Sequence, residues 1–213
     1  MSRDAARSRE AILAAAERMF AERGFAAVTL QQIGEAAGLS RGTPGYFFGS
    51  KEKLYSAVLA RVRAARDEAV TTAFAPLREW AEDPAASKRH RAGLAQALDA
   101  GIDGYWRFLN ERPSFARLIA WESLHGGKRL TGGADDAGAV ADTLRAVHAR
   151  RAKLGLRDFD PVLVSIAFVS LCFLPVAHAA TFASMSDINT ATPEFWEPYR
   201  AQILDSILHS LTG

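Results

Sequence analysis

The chain is 213 residues long, 49% hydrophobic and 23% charged, proportions that exclude a disordered protein and leave room for one or two domains with a sizeable core. Its one cysteine, Cys172, excludes an intrachain disulfide and a Cys-x-x-Cys zinc site, and fits a reducing, cytoplasmic setting. The net charge of +2 conceals an asymmetry: residues 1–66 hold eleven Arg or Lys against six acids, a net +5, while the remainder carries −3, so a basic head on an acidic body points to an anionic partner, nucleic acid first.

Apolar residues recur at spacings of three and four almost throughout, and sustained period-two alternation is absent, so the expected fold class is all-α. The opening "MSRDAARSR" reads as a disordered tail, or as a basic arm for a minor groove. Ile12, Ala16, Met19 and Phe20 define a first helix that stops at Gly24; Glu10, Glu17 and Glu22 within it break the uncharged core that an export signal needs. Thr29 to Gln32 forms a capping box, with Val28 and Ile33 as a hydrophobic staple, and starts a second helix that runs to about Ala37. Gly38 supplies a turn, and Ser40 is placed to cap a third helix. Gly34, four residues before Gly38, suits a close crossing of the two helices. Ser50 caps a fourth helix with Leu54, Tyr55, Val58, Leu59 and Val62 on one face.

Beyond a polar break at 82–91, Leu94, Leu98, Ile102, Tyr105 and Leu109 form another helical stripe, and Pro113 opens a short helix with Leu118, Trp121 and Leu124. Residues 125–138 read as a loop, 139–153 as a helix, and the last helix runs from about Pro193 with Trp196, Tyr199, Ile203, Ile207 and Leu211 on one side. Between them, residues 161–186 carry no Asp, Glu, Lys or Arg, which is long enough to span a bilayer. Ser165, Ser170, Pro175 and His178 interrupt the run and no basic cluster flanks it, so a buried central helix is expected, with no membrane partner.

Two short helices about a glycine turn, one helix ahead and a long one behind, form a helix-turn-helix arrangement. Lys51 and Lys53 occupy the first turn of the fourth helix, where the helix dipole disfavours positive charge; a phosphate there removes the conflict. Thr29 and Gln31 on the second helix, with Ser40, Arg41, Gly42, Thr43 and Tyr46 at the third, add donors or close backbone approach on the same end. The stretch "TLQQIGEAAGLSRGTPGYFFGSKEKL" resembles the head of TetR-family transcriptional regulators over roughly residues 8–60, with Thr29, Ile33, Ala37, Gly38, Ser40, Gly42, Thr43, Tyr46, Phe48, Ser50, Lys51 and Glu52 at the family's positions. The resemblance implies a DNA-binding head, a variable helical body that takes a small effector, and a homodimer built from the last two helices. The expected division is a head at residues 1–50, with the start of a connecting helix to about 66, and a body at 51–213.

Pro44 and Gly45 depart from the family, which usually has a large aliphatic residue and a tyrosine there. They predict a loosened or 3₁₀-like opening turn followed by a short helix, with Arg41 and Thr43 as the main side chains at base edges. Phe47 stands where a histidine is frequent and offers apolar contact to sugar or a thymine methyl.

One recognition helix covers few base pairs, so a dimer on a pseudo-palindromic double-stranded operator is expected, with half-sites about 34–36 Å apart. Leu171, Pro175, Ile203, Ile207 and Leu211 are the candidate dimer contacts, as members of the two most apolar helices. Tyr105, Trp106, Trp121, His125, Phe168, Phe173 and His178 form an aromatic, sparsely polar set suited to a largely apolar effector. No cofactor or metal is expected. The rival readings are a helical enzyme and a protein-binding adaptor. Against the enzyme, the five histidines lie far apart and no His-Glu-x-x-His, Gly-x-Ser-x-Gly or phosphate-loop pattern occurs.

Overall fold

The computed structural model describes residues 3–83, 90–130 and 138–213, and among them every regular element is a helix. The elements are α1 (Arg3–Arg23), α2 (Leu30–Ala36), α3 (Thr43–Phe48), α4 (Lys51–Ala73), α5 (Ala75–Glu82), α6 (His90–Glu111), α7 (Pro113–Leu124), α8 (Gly138–Ala149), α9 (Arg151–Leu154), α10 (Pro161–Ala177), α11 (Ala179–Ser186) and α12 (Pro193–Thr212). They group into two compact units: Met1–Ala65 with Pro113–Ala134, and Arg66–Arg112 with Asp135–Gly213. The unit around the head thus reaches past residue 50, and it includes α7 from later in the chain.

In the first unit α1 is the central element. Its stripe of Ile12, Leu13, Ala16, Met19 and Phe20 is buried against α2, α3 and α7. The opening basic residues form neither a tail nor an extended arm: Arg3 to Arg9 are the first turns of α1, and the Arg9 guanidinium lies 5.1 Å from the Phe48 ring centroid. Gly24 ends α1 at φ +75°, and a Cβ there would also lie 3.2 Å from the Trp121 indole. That indole seals the helix end, since its Nε1–H donates to the Ala21 carbonyl at 3.2 Å. A second tie to α7 comes from Ser114, whose hydroxyl donates to Glu17 at 2.6 Å.

In the second unit α6 packs against α5, α10 and α12, and α8 against α10. Tyr105 and Phe74 both meet the Phe168 ring, with centroids at 5.5 and 5.3 Å, and Trp106 stacks on Trp196 at 4.0 Å. Polar ties reinforce this core. Arg200 on α12 donates to Asp99 on α6 at 2.6 Å through Nε, and it also contacts Asp103.

The uncharged run is two helices, not one: α10 and α11 are bent by 68° at His178. Neither helix alone is long and apolar enough to cross a membrane. Within one protomer this segment is buried on one side only. Val164, Ser165, Phe168, Cys172 and Pro175 face inward, but Leu163, Ile166 and Leu174 are exposed by half or more. Pro175 has no N–H to offer the Leu171 carbonyl four residues back. The Tyr199 hydroxyl of α12 supplies the missing donor at 2.9 Å. At the following break the Thr190 hydroxyl donates to the Pro175 carbonyl, also at 2.9 Å.

The proline thus converts an internal helix bond into a bond between α10 and α12. Tyr199→Phe should lower the unfolding free energy by about 0.5–1.5 kcal/mol. In a Pro175→Ala background, where the substituted residue regains an N–H for the Leu171 carbonyl, the same change should cost close to nothing. Urea denaturation of the four proteins checks the cycle.

Candidate nucleic-acid interface

The start of α2 is fixed as its sequence demands. Thr29 is extended (φ −113°, ψ 155°), its Oγ1 accepts from the Gln32 N–H at 3.2 Å, and the Gln32 side chain accepts from the Thr29 N–H at 2.9 Å. The Thr29 hydroxyl hydrogen still points to no protein acceptor among the described residues, and both Thr29 and Gln31 are exposed. At the other end of α2, Gly38 takes φ +70°, and the Leu39 N–H returns to the Gly34 carbonyl at 2.9 Å.

Gly34 carries the crossing. A Cβ at this position would stand 2.7 Å from the Ser40 carbonyl oxygen and 3.2 Å from Pro44 Cδ, so any side chain would push the turn and α3 away from α2. Pro44 is buried where α3 meets α2.

The start of α3 differs from the sequence expectation. Its N-cap is Gly42, not Ser40. The Ser40 carbonyl accepts from the Thr43 N–H at 3.0 Å, a bond of 3₁₀ spacing, and the first full helical bond runs from the Tyr46 N–H to the Gly42 carbonyl at 3.1 Å. The Ser40 hydroxyl pairs with that of Thr43 at 2.7 Å. Starting two residues later puts Pro44 at the second helical position, where an N–H has no intrahelical partner, so the proline forfeits no helical bond. The result is a 3₁₀-like opening turn followed by a six-residue helix, where a loosened or 3₁₀-like turn and a short helix are expected from Pro44 and Gly45.

On the outer side, a Cβ at Gly42 or Gly45 would meet nothing within 4 Å among the described residues. Tyr46 stands 86% exposed between these bare positions and Phe47, whose ring it meets edge-on at 5.4 Å. Arg41 is exposed and pairs through Nε with Glu35 of α2 at 2.5 Å. Sequence reasoning missed this contact, since no local spacing links residues six apart across a turn. An exposed pair of this kind contributes about 0–1 kcal/mol, so Arg41 can exchange Glu35 for a base or a phosphate at small cost.

Ser50 caps α4 as expected, its hydroxyl accepting from the Lys53 N–H at 3.2 Å. Glu52 in the same first turn has its carboxyl held below the usual range, first by its own backbone N–H and then by Ser50. Lys51 is held rather than loose: its ammonium donates to the Ala26 carbonyl at 3.3 Å and lies 4.4 Å from the Phe25 ring centroid.

The helix-turn-helix and the start of α4 match the family model described as bacterial regulatory proteins, tetR family, over residues 12–58. Residues 95–207 match a tetracycline repressor-like C-terminal domain. The chain is 32% identical over 196 residues to the transcriptional regulator RutR of Escherichia coli, covering 87% of this chain and 84% of that one. The chain belongs to the TetR family. It is a helix-turn-helix transcriptional regulator, of a family of regulators and not of enzymes. It is also 28% identical over 217 residues to the transcriptional repressor NicS of Pseudomonas putida, covering 99% of this chain and 95% of that one. Among solved structures, the transcriptional regulator SCO4942 of Streptomyces coelicolor superposes with a TM-score of 0.62 at 25% identity, covering 96% of this chain and 98% of that one.

The residues expected to line an effector site do not all fall together. Trp121 and His125 belong to the head unit of this TetR-family chain; Trp121 is spent on α1, and His125 is exposed, its Nδ1 2.7 Å from the Trp121 carbonyl. His178 lies at the bend between α10 and α11 and is exposed, so neither histidine is enclosed by apolar neighbours in want of a partner. Tyr105, Trp106 and Phe168 are buried and Phe173 half-buried in the body. Of the expected dimer contacts, Pro175, Ile203, Ile207 and Leu211 are buried within one protomer and Leu171 is half-buried. The exposed large apolar residues of α10 are instead Val162, Leu163, Ile166 and Leu174. A groove of about 650 Å³ runs between α5 and α6, lined by Glu79, Trp80, Asp83, Gln96 and small residues, and includes none of the expected residues. Among the described residues no group of three or more His, Cys, Asp or Glu could hold a metal ion.

The Gly34 contact is the sharpest steric constraint on the head. Gly34→Ala should destabilise the protein by about 1–3 kcal/mol, the usual cost of overpacking, measured by urea denaturation. Gly45→Ala, where space is open, should cost far less.

Proposed function

We propose that this regulator is a cytoplasmic homodimeric repressor that binds a pseudo-palindromic operator and leaves it when a small, largely apolar effector binds the body. The observation that carries the DNA-binding reading is the gathering of Thr29, Gln31, Arg41, Thr43, Tyr46 and Lys51 around a short helix whose Gly42 and Gly45 leave its outer face bare. Arg41 and Thr43 read base edges, Tyr46 and Phe47 contact sugar and phosphate or a thymine methyl, and Thr29 with Lys51 fixes the backbone. Gly42 and Ser40 allow close approach of the turn. The name of NicS, a transcriptional repressor, supports repression as the outcome.

The dimer contact is assigned to the exposed stripe of α10. Leu163, Ile166, Ser170 and Leu174 recur at helical spacing on one face, and a stripe of large apolar side chains left in water is the mark of an interaction surface. A second copy is the occupant, since a two-fold operator requires a two-fold protein. Leu171 borders this stripe, while Ile203, Ile207 and Leu211 support it from within by holding α12 in place. For the effector, the assigned region is the aromatic side of the body that holds Tyr105, Trp106, Phe168 and Phe173. A ligand that favours one spacing of the two heads shifts the population toward it, and DNA must alter ligand affinity by the same factor.

The test is a gel shift with duplex DNA from upstream of the protein's own gene. Specific binding should appear and fall by about 10³–10⁵ between about 50 and 200 mM salt if six to ten phosphates are neutralised; an adaptor or an enzyme would give no sequence-dependent shift. Separately, Leu163→Asp with Ile166→Asp should yield a monomer by sedimentation with unchanged helical circular dichroism, because both side chains are exposed in the protomer. A variant that stays dimeric would move the contact elsewhere.

A further inference from the structure

Glu122 is a carboxylate only 2% exposed on α7, and neither the fold nor the DNA surface as described above accounts for it. Its Oε1 accepts from the Tyr55 hydroxyl of α4 at 2.9 Å, and its Oε2 accepts from the Arg129 backbone N–H at 3.3 Å. The Arg129 guanidinium stands 3.7 Å from Glu122. Burying a carboxylate is costly unless it is paired and hydrogen-bonded, so this arrangement fixes both Tyr55 and Arg129.

The same guanidinium lies 4.4 Å from the Phe25 centroid and 5.7 Å from that of Tyr55. Phe25 in turn packs on Tyr55 at 5.0 Å and carries the Lys51 ammonium at 4.4 Å. One ring in the turn after α1 therefore serves two cations. One belongs to the start of α4, and the other to the segment that follows α7. That segment is also fastened to α4 farther along, where Arg63 donates to the Leu130 carbonyl at 3.2 Å.

Two cations on one ring repel each other, and the buried Glu122 charge offsets that repulsion on the Arg129 side. Lys51 keeps the ring, one backbone carbonyl and the nearby carboxylate of Glu52, which its charge helps to hold ionised. Its charge is therefore held in place, and because Glu52 is exposed the pairing is weak enough to be shared with an arriving anion.

We infer that Glu122 and Arg129 are positioning residues which, through Phe25 and Tyr55, hold Lys51 in the place where it meets a DNA phosphate. The inference rests on the DNA-binding reading above. Arg129 acts on Lys51 through the shared ring and makes no phosphate contact of its own; Glu122 sets Arg129.

The experiment measures DNA affinity against salt for the full chain, using a duplex that the wild-type protein itself selects from a random-sequence pool. The variants are Lys51→Ala, Arg129→Gln, Arg129→Lys and the double variant Lys51→Ala with Arg129→Gln. Arg129 lies in a segment with its side chain 38% exposed, and thermal melts report whether each variant is folded. Loss of one phosphate contact lowers the slope of log K against log salt by about 0.9. Arg129→Gln should lower the slope by that amount, as Lys51→Ala does, the double variant should fall no further, and Arg129→Lys should restore most of it. An unchanged slope in Arg129→Gln, with or without a lower melting temperature, overturns the inference. So does an additive fall of about 1.8 in the double variant, because Arg129 would then be a phosphate contact itself. If the wild type selects no duplex, the DNA-binding reading falls and this inference falls with it; if it selects one and Arg129→Gln behaves as wild type, only the inference falls.

Discussion

The head depends on how closely two pieces of backbone approach at Gly34. A side chain there would be driven to 2.7 Å from the Ser40 carbonyl, so α2, the turn and Pro44 can meet only because this residue has no Cβ. A glycine within a helix costs about 1 kcal/mol relative to alanine. In return the chain gains a fixed crossing of α2 and α3, and with it a fixed direction for Arg41, Thr43 and Tyr46. The rest of the interface follows from the cap of Thr29 on α2 and the cap of Ser50 on α4, which set where each helix begins. A recognition helix of six residues has little cohesion of its own. Pro44 and Phe48, buried beneath it, supply what its length cannot.

Most of the head is legible from sequence because its signals are local. Capping boxes, a left-handed glycine and a staple act over three or four residues, and the structure realises the Thr29 box and the Gly24 and Gly38 turns. The start of α3 differs from the Ser40 expectation because a serine is the stronger cap by preference. Pro44 overrides that preference: its ring cannot donate to the Ser40 carbonyl, and the helix starts later, at Gly42. Contacts that join distant residues leave no trace in the sequence. Arg41 with Glu35, Lys51 with Phe25, and Tyr55 with Glu122 each need the folded chain. Glu122 is the extreme case, since a lone acid in a helix reads as solvent-facing.

The body is legible as a set of helices but not as a set of faces. An uncharged run carries no polar side to mark which way it turns, so the sequence leaves core and subunit interface both open for α10, and its aromatic and aliphatic residues cannot be sorted into core, ligand surface and subunit contact. Burial sorts them: Phe168 and Cys172 point inward, while Leu163, Ile166 and Leu174 remain in water. The break at His178 is equally hidden, because Pro175 alone does not say whether a helix kinks or ends. The answer lies in partners far along the chain. Tyr199 takes over the orphaned Leu171 carbonyl and Thr190 takes that of Pro175, so the interruption is stabilised by α12 and the segment before it.

The central claim is that a DNA-reading surface is built on α3 and the starts of α2 and α4. Sequencing the duplexes that the purified protein enriches from a random pool tests it most directly. The account predicts one enriched motif with two-fold symmetry, its half-sites centred about one or more helical turns apart, and loss of that enrichment in Arg41→Ala. A pool that remains random after repeated selection, or a motif unchanged by the Arg41 substitution, would contradict it.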